Sequence, residues 1–426
     1  MSNLLTIRPM QWFSRRRLGL FVHFGLYSIE GWHEQDQMRR RIPRKEYMKL
    51  IRRFNPSRLD VDSILDLAES VGMEYLCLTA KHHDGFCLWN TQETAFNVMN
   101  SPYGRDIVKE LADACHRRNF PLGLYYSVVD WNHPNYPNQG RHHELPGPQS
   151  GDEPDWDRYM AYLTRQVREL CTNYGEVRHF FWDMNVPQVR DPAINAMLRK
   201  LQPTMAINDR GFDEGDFGTP EREYSKDATD RQTRFARPTE ACNSVGMQSW
   251  GYRKNEDYYS TAFLIESIDE ILAKGGNYLL NVGPDAEGRI PGQARQILLE
   301  IGAWYRKTRE AFGDAEPAAE LTANRNVLLT RRENTLYVHI PGRAKAETVV
   351  LAPISKAPTR AVLLNTGELL RASTDLLPVH WQSGSHVLIL RSIPRNLLAG
   401  EPLVIRLDFD GPLGGDDHGA VQAFAG

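Results

Sequence analysis

A short apolar run that stops at an acidic residue constrains the fold of this chain more than any other feature. The run occupies residues 179–182, His-Phe-Phe-Trp, and ends at Asp183. A run of this length after a helical segment is typical of a strand buried on both faces. In a parallel α/β barrel, the carboxyl ends of the strands build the active site. We therefore expect Asp183 to be a nucleophile or a metal ligand, with a helix-capping or loop aspartate as the alternative.

Strand-like apolar runs alternate with segments of helical periodicity over the first three-quarters of the chain. The runs begin at Leu18, Tyr75, Leu122, His179, Met205 and Tyr278, and the helical segments are 59–73, 106–119, 156–175, 194–201 and 260–274. Such alternation predicts a parallel sheet. The number of strands and the length favour a closed (β/α)8 TIM-like barrel over residues 1–313, of the α/β class, rather than an open sheet.

The pattern changes after Gly313. Residues 320–410 contain β-rich segments separated by turn signals such as Asn365-Thr366-Gly367, without a convincing helix. This pattern predicts a C-terminal antiparallel β-sandwich. Residues 411–426 are rich in glycine and aspartate, and we expect them to form a flexible tail.

Charge, apolar runs and cysteines limit the partners and the location. The net charge is −3 and the basic runs are short, such as Arg39, Arg40 and Arg41, so nucleic acid is not expected as a partner. No apolar run reaches the length of about 18 residues that a membrane helix needs. Five scattered cysteines and the absence of a signal-peptide pattern indicate a cytoplasmic protein with free thiols. The oligomeric state stays open, and a homo-oligomer is one of the alternatives.

Polar and aromatic side chains collect at the predicted strand ends. They are His23, His82, His83, Tyr125, Trp182, Asp183 and Arg210, joined by Trp32 after the first strand and by Glu221 and Glu240 in later segments. Neutral histidines and stacking aromatics suit a polyhydroxylated ring with one apolar face. Paired carboxylates suit cleavage of a glycosidic bond, in which one attacks the anomeric carbon and the other protonates the leaving oxygen.

Several of these residues also have plain structural interpretations. His82 and His83 would point to opposite faces if both lay on a strand, so one of them could be structural. At a strand end, where the chain leaves the sheet, both could face the site. Trp32 could simply pack its own loop.

An ordered series of short motifs carries a family resemblance. FVHFG, KHHDGF, LGLYYS, NDR, SWGY and GGNYLLNVGPDAEGRIP follow one another between residues 19 and 312. This series resembles the retaining α-L-fucosidases of glycoside hydrolase family 29. The resemblance implies a barrel followed by a β-sandwich, an exo-acting double-displacement mechanism, and a fucosylated oligosaccharide or glycoconjugate as substrate. It implies no cofactor and no metal.

The resemblance also assigns roles to individual residues. Asp183 matches the nucleophile, Arg210 matches a site arginine, and sugar-binding positions are matched by His23, His82, His83 and Tyr125. The family often has tryptophan two residues before the nucleophile, where this chain has Phe181 and places Trp182 next to Asp183. Glu221 matches an acid/base position used by several members, and Glu240 is the alternative.

Other function classes remain open at this level. A barrel with His23, His82 and His83 at strand ends could be a zinc-dependent hydrolase, although the first strand offers a single histidine. A glycosidase for a related sugar such as a galactoside and a non-catalytic sugar-binding protein are further alternatives. Segments 132–154 and 211–236 are expected to shape the leaving-group side, but their residues do not indicate a linkage.

Overall fold

The structure is a computed structural model that describes residues 8–222 and 234–413, apart from residues 345, 383 and 399. The chain forms two compact units. Of the described residues, the first unit comprises 8–222, 237–259 and 277–299, and the second comprises 234–236, 260–276 and 300–413. Both units are therefore discontinuous in sequence, whereas the predicted barrel and sandwich domains are continuous. Residues 414–426 of the predicted tail lie outside the described residues.

The first unit is built on a parallel sheet of seven strands. The strands are β1 (Leu18–Val22), β2 (Tyr75–Lys81), β3 (Leu122–Ser127), β4 (His179–Asp183), β5 (Ala206–Ile207), β6 (Glu240–Ser244) and β7 (Asn277–Val282). Their order in the sheet is β5-β4-β3-β2-β1-β7-β6. Every residue of these strands is buried, as expected for parallel strands that are covered on both faces.

Residues 216–222 form the remaining side of the barrel between β5 and β6. On the β5 side, the Asp209 amide donates to the carbonyl of Phe217 at 3.0 Å. On the β6 side, the amides of Glu240 and Cys242 donate to the carbonyls of Gly218 and Pro220 at 2.8 and 3.0 Å. This segment thus occupies the sixth barrel position in chain order, and the predicted α/β barrel architecture is confirmed.

Helices connect most of the barrel strands. They are α1 (Arg8–Phe13), α2 (Tyr27–Glu30), α3 (Asp36–Arg39), α4 (Arg44–Tyr47), α5 (Val61–Val71), α6 (Ile107–Arg117), α7 (Trp156–Thr172), α8 (Pro192–Leu201), α9 (Thr261–Ala273) and α10 (Gly292–Thr308). An aspartate caps the amino end of each helix from α5 to α8, because its carboxylate accepts a free backbone amide of the first turn. No helix in the described ranges is long and apolar enough to cross a membrane.

The second unit contains two antiparallel sheets in the C-terminal part of the chain. The strands are β8 (Glu316–Pro317), β9 (Leu328–Arg332), β10 (Thr335–Ile340), β11 (Val349–Leu351), β12 (Arg360–Leu363), β13 (Arg371–Asp375), β14 (Val387–Arg391) and β15 (Leu403–Asp408). The sheets have the orders β12-β15-β10-β9-β8 and β11-β14-β13. Leu336 of one sheet and Leu390 of the other belong to one buried apolar core, which confirms the predicted β-sandwich.

Candidate active site

A cavity at the carboxyl end of the barrel collects most of the predicted site residues. Its lining is Phe21, His23, Glu34, Gln35, His82, His83, Tyr125, His143, Phe181, Asp183, Met184, Arg210, Glu221, Cys242 and Trp250. The predicted side chains come together there because each lies near or just beyond the carboxyl end of a parallel strand or barrel segment.

Asp183 is the last residue of β4 and is nearly inaccessible to solvent. The Tyr125 hydroxyl donates to its Oδ2 at 2.7 Å, and Nη1 of Arg210 donates to its Oδ1 at 3.0 Å. Burial alone would raise the pKa of this carboxyl group, but Arg210, His83 and Tyr125 together outweigh burial and lower it. Asp183 is therefore ionised at neutral pH, as a carboxylate nucleophile must be.

One guanidinium group links Asp183 to Glu221. Nη2 of Arg210 lies 3.0 Å from Oε2 of Glu221, and it also donates to the carbonyl of Thr219 at 2.8 Å. Nε of Arg210 donates to the Thr219 hydroxyl at 2.9 Å, so each of the three guanidinium nitrogens has a hydrogen-bond partner. The Glu221 side chain is 37% exposed and that of Asp183 is 10% exposed. The two carboxylates are thus neighbours, and Asp183 is largely buried whereas Glu221 is accessible to solvent.

The histidines of the cavity are neutral hydrogen-bonding groups. Nδ1 of His23 donates to Oδ1 of Asn281 at 2.6 Å, and burial lowers the pKa of His23 to about 4. Nδ1 of His83 lies 2.7 Å from the Ser127 hydroxyl, and burial lowers the pKa of His83 to about 3. Burial and the neighbouring histidines also lower the pKa of His82. Uncharged imidazoles of this kind suit sugar hydroxyls better than an anion.

His82 and His83 both line the cavity, although they are adjacent in sequence. The pairing of β2 with β3 is irregular between Thr79 and Lys81, and the strand ends at Lys81. The two histidines therefore lie beyond the strict alternation of a strand, and their ring centroids are only 4.0 Å apart. The alternative that one of them is purely structural is not supported by this geometry.

Trp182 does not line the cavity. Side chains alternate along β4, so that Phe181 and Asp183 face the barrel interior and Trp182 faces outward. The Trp182 indole donates to Oδ1 of Asn195 at 2.9 Å and lies against the backbone of Gly211, where a Cβ atom would collide with its ring. Trp182 therefore lies outside the cavity in which we expected it to contact the sugar, and Phe181 occupies the inward position.

Trp32 is also absent from the cavity lining. Its side chain is 41% exposed, and the Arg40 guanidinium lies 5.6 Å from its ring centroid. The structural interpretation of Trp32 as a residue that packs its own loop therefore agrees with its position, and the predicted substrate contact does not.

Glu240 lies at the opposite end of the barrel from Asp183. It is the first residue of β6 and accepts hydrogen bonds from the Tyr75 hydroxyl at 2.8 Å and from Nε2 of His179 at 3.0 Å. His179 and Asp183 are the two ends of β4, and a rise of ~3.3 Å per residue separates them by roughly 13 Å. The alternative assignment of Glu240 as the acid/base conflicts with this position.

The cavity also contains residues that the sequence did not identify as candidates. Glu34 is buried and accepts the Ser249 hydroxyl at 2.7 Å and the Trp250 amide at 2.9 Å. Burial raises its pKa, but His33, Ser249 and other hydrogen bonds outweigh burial and lower it. The Trp250 ring lies 5.3 Å from that of His23. Trp250 belongs to the SWGY motif, so this motif was the sequence feature from which this side of the cavity could have been predicted.

His143 reaches the same cavity from the polar loop after β3. Its ring lies 5.8 Å from that of His83, and burial together with His142 lowers its pKa to about 4. Within the described parts of the chain, no three or more histidine, cysteine, aspartate or glutamate side chains form a group that could hold a metal ion.

An open groove of about 660 Å³ adjoins the cavity. It shares Asp183, Met184, Arg210 and Glu221 with the cavity and extends along the loops that follow β4 and β5. The site therefore has an inner pocket lined by histidines and aromatic rings and a wider outer part beside the two carboxylates.

Known proteins resemble this chain over most of its length. The sequence profile of the alpha-L-fucosidase family matches residues 2–310. The alpha-L-fucosidase of Dictyostelium discoideum is 27% identical over 400 residues, which cover 84% of this chain and 84% of that protein. The structure of alpha-L-fucosidase isoenzyme 1 from Paenibacillus thiaminolyticus superposes with a TM-score of 0.82 at 30% identity, covering 94% of this chain and 99% of that one.

A third relative was captured part-way through its reaction. It is a family 29 alpha-L-fucosidase from Bacteroides thetaiotaomicron, described as a trapped covalent intermediate with 2-fluoro-fucosyl fluoride in a glutamate-to-glutamine mutant. It is 27% identical, has a TM-score of 0.78, and covers 94% of this chain and 95% of its own. The ordered motifs, the barrel with its carboxylate pair and the family profile agree, and this chain belongs to the alpha-L-fucosidases of glycoside hydrolase family 29.

Proposed function

We propose that this enzyme is a retaining exo-glycosidase that removes terminal α-L-fucose from fucosylated oligosaccharides or glycoconjugates. Asp183 is the nucleophile and Glu221 is the acid/base. The observation that carries the proposal is the Arg210 guanidinium, which contacts both carboxylates at 3.0 Å through different nitrogens. Two carboxyl groups on one guanidinium are compatible with the separation of ~5–5.5 Å that retaining enzymes need.

In the first step, the Asp183 carboxylate attacks the anomeric carbon while the glycosidic carbon–oxygen bond breaks. Glu221, protonated at this stage, gives its proton to the leaving oxygen. In the second step, the Glu221 carboxylate takes a proton from water, and the water oxygen attacks the same carbon. The bond to Asp183 breaks, fucose is released with its original anomeric configuration, and Glu221 is again protonated.

Arg210 suits this sequence of charges. Before the first step the negative charge lies on Asp183, and after it the charge lies on Glu221, so that the pair carries one negative charge throughout. A guanidinium that contacts both groups compensates this charge in either place without moving. Electrostatic stabilisation that is already organised costs no rearrangement during the reaction.

The remaining cavity residues suit the sugar. His23, His82 and His83 offer neutral imidazole nitrogens to hydroxyl groups, while Phe21 and Phe181 offer apolar surface to the C–H face and the methyl group of fucose. Phe21 and Phe181 are buried and belong to one aromatic cluster that forms the floor of the cavity. A pocket that ends on packed rings admits a terminal sugar only, which supports exo-action.

The experiment follows a nitrophenyl α-L-fucoside by NMR, with the anomer of the first product as the readout. We expect retention, together with a covalent adduct on the peptide that contains Asp183 after treatment with 2-fluoro-fucosyl fluoride. Inversion, or an adduct on another peptide, would overturn the assignment. The matching nitrophenyl galactosides test the related-sugar alternative. Assays after chelator treatment test the metal-dependent one, and full activity is expected there.

A further inference from the structure

We propose that the groove beside the carboxylates binds the sugar that leaves from fucose, and that Asp209 and Arg237 anchor the hydroxyl groups of that sugar. The inference rests on the proposed function, which defines fucose as the inner sugar. It goes further by assigning the leaving-group site and its chemistry, namely an uncharged, hydroxyl-rich pyranose.

The groove begins where the reaction takes place. Asp183, Arg210 and Glu221 are common to its lining and to that of the inner cavity. With a fucose ring in the inner cavity, the glycosidic oxygen must point toward the acid/base. The next sugar then lies on the Glu221 side, between the loop at 184–190 and the loop at 209–214 that line the groove.

One wall of the groove is apolar and held in place. Met184, Val186 and Val189 form it. The Asn185 amide group donates to the carbonyls of Val189 and Gly211, both at 2.8 Å, and its oxygen accepts the Val189 amide at 3.1 Å. These bonds tie the loop after β4 to the loop after β5, so that the wall is formed before a ligand arrives. A preformed wall reduces the entropy lost on binding.

The other wall carries a partly exposed ion pair. Nη1 of Arg237 lies 3.4 Å from Oδ2 of Asp209, and Nη2 donates to the Glu214 carbonyl at 2.9 Å. The side chains are 40% and 31% exposed, so that both retain hydrogen-bonding capacity toward the groove. A pyranose has an apolar C–H face and a rim of hydroxyls, which matches an apolar wall opposite a guanidinium–carboxylate pair.

The charge of the groove favours a neutral sugar. Apart from the catalytic pair and Arg210, its described lining contains Asp209, Asp213 and Glu214 against Arg190 and Arg237. Arg199 contacts Asp213 from behind at 3.0 Å and balances the third carboxylate. Each arginine of this part of the lining already faces a carboxylate, because Arg190 pairs with Glu214 at 2.9 Å. A sulfate or carboxylate on the leaving sugar would meet arginines whose charge is already balanced, and it would approach the carboxylates of the lining.

The test compares leaving groups in variants of Arg237. The substrates are nitrophenyl α-L-fucoside, a neutral fucosyl-hexose disaccharide, and the same disaccharide with a sulfate on the hexose. We expect Arg237→Ala to lower kcat/KM for the neutral disaccharide about 10- to 100-fold, the range for lost hydrogen bonds to a charged group. The loss for the nitrophenyl substrate, which has no hydroxyl rim, should stay under about threefold. Arg237→Lys keeps the positive charge but loses the paired N–H donors of the guanidinium. Its kcat/KM for the neutral disaccharide should lie between the values of the wild-type enzyme and of Arg237→Ala.

Arg165→Ala is the matched control. Arg165 lies on α7, pairs with Glu93 at 2.7 Å, has a side chain that is 56% exposed, and lies outside the cavity and the groove. It should leave both kcat/KM values unchanged. The inference is overturned if Arg237→Ala affects the nitrophenyl and disaccharide substrates equally, or neither, or if the wild-type enzyme prefers the sulfated disaccharide. Failure of the wild-type enzyme to cleave the nitrophenyl fucoside would instead contradict the proposed function.

Discussion

The two ends of the barrel each hold a buried carboxylate that accepts a hydrogen bond from a tyrosine. At the carboxyl end, the Tyr125 hydroxyl donates to Asp183 at 2.7 Å, and at the amino end the Tyr75 hydroxyl donates to Glu240 at 2.8 Å. A histidine lies close to each carboxylate. Asp183 faces a cavity that continues into a groove, whereas Glu240 and His179 are completely buried.

The difference between the ends shows that the position along a strand decides what a carboxylate does. A carboxylate whose oxygens are all engaged by neighbours in a closed core contributes to stability and specificity of the fold. The same group at the open end can reach a substrate. Asp183 and Glu240 therefore allow a comparison within one molecule between the proposed nucleophile and a carboxylate enclosed in the core.

The largest expected effect comes from Asp183→Asn. The amide keeps the size of the side chain but cannot attack the anomeric carbon, so turnover should fall by on the order of 10⁴- to 10⁶-fold, as it does when a nucleophile is lost. The melting temperature should stay close to that of the wild-type enzyme. Asp183→Gly should recover part of its turnover in azide, because a small anion can enter the vacated space. Turnover near the wild-type value would show that the nucleophile is another residue.

Glu221→Gln should have the next largest effect, and that effect should depend on the leaving group. For fucosides with a poorly acidic leaving oxygen, loss of the acid should lower the rate by about 10²- to 10⁴-fold. Nitrophenyl fucoside should still form the intermediate, which then accumulates and lowers the apparent KM. Azide should accelerate the second step because it needs no general base. If Glu240→Gln gave this profile instead, the two glutamates would have to exchange roles.

Glu240→Gln should change stability and leave catalysis nearly intact. The substitution weakens the buried contacts with Tyr75 and His179, so the free energy of unfolding should fall by about 1–3 kcal/mol. Thermal unfolding is the measurement, with Glu221→Gln as the matched control because that side chain is partly exposed. Activity per folded molecule should stay within about twofold of the wild-type value. Unchanged stability would mean that the contacts of Glu240 with Tyr75 and His179 contribute nothing measurable to the free energy of unfolding.

The pH dependence of stability should arise mainly from the buried histidines at the carboxyl end of the barrel. His23 has a pKa lowered by burial to about 4, and the pKa of the unfolded chain is near 6.5. Below pH 6.5 the unfolded chain therefore binds a proton that the folded protein does not, and stability falls as the pH drops toward 4. His23→Gln should reduce the stability difference between pH 7 and pH 5 by about 1–2 kcal/mol. An identical pH dependence in the variant would contradict the neutral state of His23.

The local pattern of apolar residues was sufficient to predict where the first strands of the barrel begin. The predicted starts at Leu18, Tyr75 and Leu122 are the first residues of β1, β2 and β3. Continuous apolar runs of this kind are characteristic of parallel strands. Because such strands place their carboxyl ends at one edge, the grouping of His23, Tyr125 and Asp183 could be predicted as well.

Two barrel segments could not be recognised from local pattern. Residues 216–222 contain Gly218 and Pro220, and β6 consists of the polar sequence Glu-Ala-Cys-Asn-Ser. These segments are held by backbone pairing with neighbours that are distant in sequence. Without that pairing, the end of the barrel on which Glu240 lies was unknown, and the choice between Glu221 and Glu240 rested on the family resemblance.

The inward and outward faces of a strand require the register as well as the residue types. Trp182 was a plausible sugar contact because it is adjacent to Asp183, and alternation along β4 then places it outside the barrel. Glu34 illustrates a different difficulty. Its role in the cavity wall depends on hydrogen bonds from Ser249 and Trp250, more than two hundred residues away in the chain.

The contact between Trp182 and Gly211 has a consequence for how this site can evolve. Any side chain at position 211 would collide with the indole ring, and a smaller residue at position 182 would leave the neighbouring loop unsupported. The two positions should therefore change together among relatives, with larger residues at 211 accompanied by smaller ones at 182. Since Asp183 follows Trp182 and Arg210 precedes Gly211, this covariation would be visible beside the proposed catalytic groups, although neither position lines the inner cavity.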